Sequence, residues 1–414
     1  MSKFRRVICL LLSVVAFVCL LPLPGAAQEI ALASEAAVLM DAESGQILYG
    51  KNMDSTMYPA SITKVLTGLL ALKYGKETDK VTMTQAGVSQ VPRTSSHIAL
   101  EPGEAFTMKD ALYALALVSA NDAAVAIAET VSGSVEDFAK LMNEEAEKLG
   151  AHNSHFVNPN GMPNQEHYTT ARDMALITAE ALKQEGFLTY FGAKSYEMPA
   201  TNLSAARPLV SKNQFIDGTF DCPGLLMSKT GWTSSALGTL VTAVKRGDTT
   251  LIAVTLKSPM LEDKYTDTLA LLDYGFANYR RVRLSQKLME RKMVAQGMDE
   301  DCSLEEYTPQ DVLIPQTAGE ADIAVTVPGG FDSSLGVSTV PASVDVKQED
   351  GTWIHVTDLL LTIRDPEPEV EALAETEEAE VPAETETKAI HPGAAILLGL
   401  AVVFFLFRFI GKRK

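Results

Sequence analysis

Residues 58–72 read Tyr-Pro-Ala-Ser-Ile-Thr-Lys-Val-Leu-Thr-Gly-Leu-Leu-Ala-Leu. Within them Ile62, Val65, Leu66, Leu69, Leu70 and Leu72 recur at the three-and-four spacing of a helix face. This predicts a buried helix with Ser61 at or very near its N-terminus. Lys64 lies one turn beyond Ser61 on the same face. A serine hydroxyl is a poor nucleophile until a base takes its proton. Lysine can be that base once burial and nearby positive charge bring its pKa down from about 10.4 towards neutrality.

Working outward, Ala36–Asp41 and Gln46–Tyr49 are apolar runs around the turn residues Glu43, Ser44 and Gly45, and read as a β-hairpin. Downstream, helical patterns cover 108–118, 122–131, 135–149 and 170–183. The period then changes, and 225–229, 237–244 and 250–256 read as consecutive strands before a helix over 265–274. Strands from both ends with helices between them imply an α/β (α+β) unit, an antiparallel sheet flanked by helices. From 281 to 364 the pattern is short and alternating, as in Ile323–Val327 and Ser343–Val346, with turns at Gly329-Gly330 and Asp350-Gly351. That predicts a small all-β domain.

Two further clusters join Ser61-Ile62-Thr63-Lys64: Ser119-Ala120-Asn121 between two helices, and Lys229-Thr230-Gly231 opening onto a strand. A Ser-x-x-Lys pair arises by chance about once or twice in a chain this long, yet Ser61 is the only serine here with lysine three positions on. Alone, Ser119-Ala120-Asn121 would be an ordinary helix cap and Lys229-Thr230-Gly231 an ordinary strand entrance. In order, and each at the structural position its chemistry needs, they point to one site. Lys229 supplies the positive charge that lowers the pKa of Lys64, and the helix N-terminus adds a partial one. Ser119 can relay a proton to a leaving amine, and Asn121 can hold a substrate peptide through its amide. The strand at Lys229 can pair with an extended peptide, with Gly231 leaving room for close approach. The backbone N–H groups of Ser61 and Trp232 would form an oxyanion hole.

With these residues the chain resembles the low-molecular-mass penicillin-binding proteins of the D-alanyl-D-alanine carboxypeptidase family, which share a fold with β-lactamases. The resemblance also rests on Tyr58-Pro59-Ala60-Ser61, Ser119-Ala120-Asn121-Asp122-Ala123, Asn158 to Gly161, His167-Tyr168-Thr169-Thr170-Ala171 and Tyr274-Gly275-Phe276, and it covers roughly 30–364. It implies that Ser61 attacks the D-Ala-D-Ala carbonyl of a peptidoglycan stem peptide and releases D-alanine through an acyl-enzyme. β-Lactam antibiotics are then expected to acylate the same serine. Where the family often carries an arginine for the terminal carboxylate, this sequence has Lys264, which brings charge without the bidentate fork. Thr230 and Thr233 are the other candidate carboxylate donors.

The nearest alternative is a β-lactamase. Class A members carry a glutamate followed by leucine and asparagine, whereas Glu166 here precedes His167-Tyr168-Thr169-Thr170. A catalytically silent wall-binding protein is the alternative outside enzymes, and the filled catalytic positions argue against it. His167, in a loop leading to a helix, reads as a structural hydrogen-bonding residue, since a serine–lysine pair needs no histidine.

The 414 residues carry a net charge of −18, which argues against nucleic acid as a partner. Ten acidic residues and one basic residue fall between Asp365 and Lys388, interleaved with proline, so 365–391 reads as an extended acidic tether. Residues 1–27 join Lys3, Arg5 and Arg6 to an apolar run and small residues near Ala27, the pattern of a secretory signal. Residues 392–410 are apolar and precede a basic tail at 411–414, which predicts a short membrane span with the folded body of 28–280 and 281–364 outside the cell. Cys9 and Cys19 fall in the signal, and an exported location permits a bridge between Cys222 and Cys302. No Cys–His cluster has metal-ligand spacing and no glycine-rich phosphate loop occurs, so neither metal nor cofactor is expected.

Overall fold

The computed structural model describes residues 30–296, 303–328, 337–349 and 351–364, all within one compact unit. The expected signal (1–27), tether (365–391), membrane span (392–410), tail (411–414) and Cys302 lie outside the described residues. Among the described residues no helix is long and apolar enough to cross a membrane, and Cys222 is a buried free thiol.

A five-stranded antiparallel sheet forms the centre. Its strands are β1 (Ala36–Asp41), β2 (Ile47–Lys51), β3 (Leu225–Thr233), β4 (Leu237–Arg246) and β5 (Thr249–Ser258), in the order β2-β1-β5-β4-β3. Because side chains alternate across a strand, each strand feeds two cores. Val38, Met40, Val241, Ile252 and Val254 enter a core with the helices on one face, while Ala37, Leu39, Leu240, Leu251 and Ala253 enter a core on the other. A sheet covered on both faces needs apolar residues at every position, which is why β1 is an unbroken buried run.

On the larger face lie α1 (Lys64–Tyr74), α2 (Met108–Leu117), α3 (Asn121–Ser132), α4 (Val135–Lys148) and α5 (Ala171–Lys183). Leu66, Leu69, Leu70, Leu112, Leu115, Ile127 and Phe138 are buried together there. Thr170 caps α5 by accepting from the Asp173 N–H at 3.0 Å, and the Asp173 carboxylate in turn accepts from Asn153 N and Ser154 Oγ at 2.9 and 2.7 Å. These bonds anchor both ends of the loop at 153–170, which matters below. α6 (Asp263–Asn278) covers the other face through Leu271 and Leu272. The strands and helices read from the sequence all occur; those read over 122–131, 225–229, 237–244, 250–256 and 265–274 run further, while those over 108–118, 135–149 and 170–183 are one residue shorter.

Strand β6 (Tyr279–Leu284) runs through position 280/281, where the sequence places a domain boundary. It pairs with β8 (Gln310–Pro315), while β7 (Ser303–Glu305), β9 (Ile323–Thr326), β10 (Val337–Lys347) and β11 (Trp353–Arg364) form a separate sheet in the order β7-β11-β10-β9. This β-rich module also contains a helix, α7 (Gln286–Val294), that periodicity did not reveal. Ser285 caps it, and Leu288, Met289 and Met293 pack with Ile323, Val325 and Val344. The module joins the sheet through Gln46. That buried side chain donates to Leu313 O at 2.8 Å and accepts from Leu313 N at 3.0 Å, as a neighbouring strand would. Nearby, Arg281 pairs with Asp41 at 2.8 Å.

Candidate active site

Ser61 lies in a short 3-10 turn, Ala60–Thr63, that runs directly into α1. This is the helix entrance expected from Pro59 and the apolar spacing that follows. The residue ahead of the serine, Ala60, is buried with φ +50°, a left-handed conformation that costs a non-glycine residue roughly 1–3 kcal/mol. Ser119, between α2 and α3, is also left-handed at φ +57°. The nucleophile thus follows a strained residue and Ser119 is one, so surrounding contacts rather than local preference set the geometry there.

Lys64 is fully buried, and its Nζ lies 3.0 Å from Ser61 Oγ. The same nitrogen donates to Asn121 Oδ1 at 2.7 Å and to the backbone carbonyl of Asn160 at 2.5 Å. Burial first, and the positive charge of Lys229 second, hold the Lys64 pKa well below the usual lysine value, with Asp122 opposing. Asp122 itself accepts from the N–H groups of Ile98, Leu100 and Ala123. A neutral lysine amine has two N–H bonds and one lone pair. With all three protons, the Nζ donates to Ser61 Oγ as well as to the two carbonyl oxygens; once it loses one, the carbonyls can keep the two N–H bonds and the lone pair is free to face the Ser61 hydroxyl.

Lys229 makes a second serine–lysine pair. Its Nζ donates to Ser119 Oγ at 3.0 Å and to Thr230 O at 2.8 Å, and burial, helped by the charge of Lys264, lowers its pKa to about 7. Lys229, Thr230 and Gly231 lie on β3, which is the last strand of the sheet and has no strand partner on its outer side among the described residues. Gly231 is required by space. A Cβ there would stand 2.3 Å from Thr239 Oγ1, 2.8 Å from Ser61 N and 3.0 Å from Ala60 Cβ. The strand backbone therefore passes close beside the serine's own N–H. Ser96, Ser119, Ser211, Asn213, Lys229 and Thr230 line a cleft beside this edge.

Towards the end of β3, Trp232 is exposed, and Thr233 Oγ1 accepts from Ala236 N at 2.9 Å across the turn to β4. Lys264, at the start of α6, is buried beside Gly238, the residue opposite Trp232 in the sheet. Burial lowers its pKa to about 8, and its Nζ lies 5.4 Å from the Tyr265 ring centroid. All ten residues singled out in the sequence thus converge on one end of the sheet.

The structure adds a role to Asn121. This buried residue accepts from Lys64 through its Oδ1 at 2.7 Å and so orients the lysine, while its Nδ2 lies 3.6 Å from Met162 Sδ. The sequence reading also missed the Asn160 carbonyl, because a backbone group has no residue signature. The signal available was Asn158: its Oδ1 accepts from Gly161 N and Met162 N at 2.7 and 3.2 Å, a side-chain turn that shapes the loop around Asn160.

Fold and site together define a serine–lysine hydrolase architecture, two serine–lysine pairs facing one another beside an open sheet edge. A family model described as D-alanyl-D-alanine carboxypeptidase matches residues 24–260, and the chain belongs to that family. Among relatives, it is 37% identical over 256 residues to D-alanyl-D-alanine carboxypeptidase DacF of Bacillus subtilis, covering 61% of this chain and 64% of that one. It is 34% identical over 260 residues to DacC of Escherichia coli, covering 60% and 62%. The chain therefore spans just under two thirds of the length of these relatives. Penicillin-binding protein 5 of Haemophilus influenzae superposes with a TM-score of 0.66 at 25% identity, covering 82% of this chain and 99% of that structure.

Proposed function

We propose that the chain is a serine-type D-alanyl-D-alanine carboxypeptidase that removes the terminal D-alanine from peptidoglycan stem peptides. The observation that carries this reading is the position of the Lys64 Nζ, 3.0 Å from Ser61 Oγ and held there by Asn121 Oδ1 and Asn160 O. In the acylation step Lys64 takes the hydroxyl proton as Ser61 Oγ bonds to the carbonyl carbon. The developing oxyanion lies against the N–H groups of Ser61 and Trp232. The C–N bond then breaks, and Ser119, oriented by Lys229, relays the proton taken up by Lys64 to the departing D-alanine nitrogen, which returns the lysine to its neutral form. Water then hydrolyses the ester to free Ser61. An extended substrate strand pairs with the outer edge of β3, and its carboxylate meets Lys264, Thr230 and Thr233. A β-lactam acylates Ser61 by the same opening step.

The reading includes export, with the body outside the cell and residues 392–410 as the membrane anchor, supported by the signal-like and apolar stretches of the sequence. A pentapeptide ending in D-Ala-D-Ala, followed by mass spectrometry, tests the activity. The intact chain should release one D-alanine and form a long-lived adduct with labelled penicillin, and Ser61→Ala should do neither. Continued release by Ser61→Ala would end the proposal.

A further inference from the structure

His167 lies at the far side of the serine turn, 1% exposed, and touches no group assigned to the reaction above. Its Nδ1 accepts from the Val157 N–H at 3.1 Å, so the proton of the neutral ring must sit on Nε2. That Nε2 is 3.0 Å from Thr63 Oγ1 and donates to it, while the Thr63 hydroxyl donates onward to Ala60 O at 2.9 Å. Burial holds the ring neutral, with a pKa of about 3, so this donor order does not reverse in the working pH range.

The chain of bonds ends on the one peptide whose geometry matters most. The Ala60 carbonyl belongs to the peptide linking Ala60 to Ser61, and Ala60 is left-handed. On its other side Gly161 abuts the same oxygen so closely that a Cβ there would overlap it at 1.8 Å. The nitrogen of this same peptide is the Ser61 N–H of the oxyanion hole. Rotating the peptide therefore moves both the hydroxyl and the N–H donor.

We propose that His167, acting through Thr63, fixes the Ala60–Ser61 peptide and is a positioning residue for acylation. This rests on the serine–lysine reading above. The ring divides its work between its nitrogens. Nδ1 holds the loop at Val157, and Nε2 holds the nucleophile's turn.

That division supplies the test, because asparagine places its amide near the Nδ1 position and glutamine near the Nε2 position. The full chain and the variants His167→Asn, His167→Gln and Thr63→Val are each treated with fluorescent penicillin, and the acylation constant is separated from the pre-acylation dissociation constant. The proposal expects His167→Asn to acylate on the order of 10- to 100-fold more slowly with an unchanged dissociation constant, the scale expected when a reacting group is misplaced by a fraction of an ångström. It expects His167→Gln to stay within a few-fold of the parent, Thr63→Val to match His167→Asn, and the double variant to lose no more than either single one. Parental rates in Thr63→Val, or losses that multiply in the double variant, overturn it. If His167→Asn fails to fold, Thr63→Val still decides. A parent chain that penicillin does not acylate sinks the underlying reading instead.

Discussion

The sheet-and-helix region and the β-rich module are built by opposite rules. From Ser34 to Thr268 the interior accepts polar and charged groups, Lys64, Lys229, Asp122, Glu145 and His167 among them. Beyond Thr268 the buried residues among those described are apolar, and the one buried charge is the Arg281 side chain paired with Asp41. Burying an ammonium or carboxylate is costly unless partners meet it, so a chain does this only where the group is needed in a dry setting. Two lysines lowered by burial, 3.0 Å from two serines, are such a need. The module's core of leucine, isoleucine, valine and methionine asks only for shape. The first region holds its chemical groups at the expense of stability, and the second holds a purely apolar core.

This contrast can be broken by substitutions that should act on one side only. The largest effect is expected from Gly231→Ala, whose methyl would press on Ser61 N and Ala60. Acylation by penicillin should fall on the order of 100-fold, as when one oxyanion-hole donor is lost, while the module's unfolding stays unchanged by differential hydrogen exchange. Normal acylation would mean that the strand does not frame the oxyanion. Gln46→Ala tests the junction. It leaves both backbone groups of Leu313 without their buried partner and should lower stability by about 1–3 kcal/mol in thermal unfolding, with kcat/KM for the pentapeptide unaltered. A loss of kcat/KM there would show that the module reaches into the chemistry.

The smallest effect sharpens the role of Lys264. Its pKa, about 8, is lowered, so the ammonium is present below that pH and lost as pH rises through it. Attraction for a terminal carboxylate should fade on the same rise, whereas arginine stays charged throughout. Lys264→Arg should thus keep KM for the pentapeptide low at pH 9, where the parent's KM has climbed. An amide-capped peptide should show no such difference, and identical parent and variant profiles would remove Lys264 from substrate capture.

Much of the site was legible because its chemistry is written in side chains at fixed spacings: Ser61 and Lys64 one turn apart, Lys229 and Gly231 on one strand. The sheet was legible because runs such as 36–40 and 251–254 are unbroken and apolar. What escaped had no such signature. The acceptor at Asn160 is a peptide carbonyl, and its position depends on Asn158 and Gly161 turning the loop. The role of Asn121 depended on which neighbour its amide met. Helix α7 was hidden because Lys287, Glu290, Arg291 and Lys292 surround its buried Leu288, Met289 and Met293, so its short apolar stripe blended into the alternating segments around it.

The outer edge of β3 has one last implication. A row of unpaired backbone groups accepts any extended chain, including another protein's strand. If substrate pairs along that edge as proposed, the molecule cannot close it with a partner strand, so protection against sticking to its own copies must come from what borders the edge. Lys229 already occupies the Thr230 carbonyl from within, and Trp232 stands out at the rim. Selection for an open groove and selection against clumping therefore meet on the same few residues.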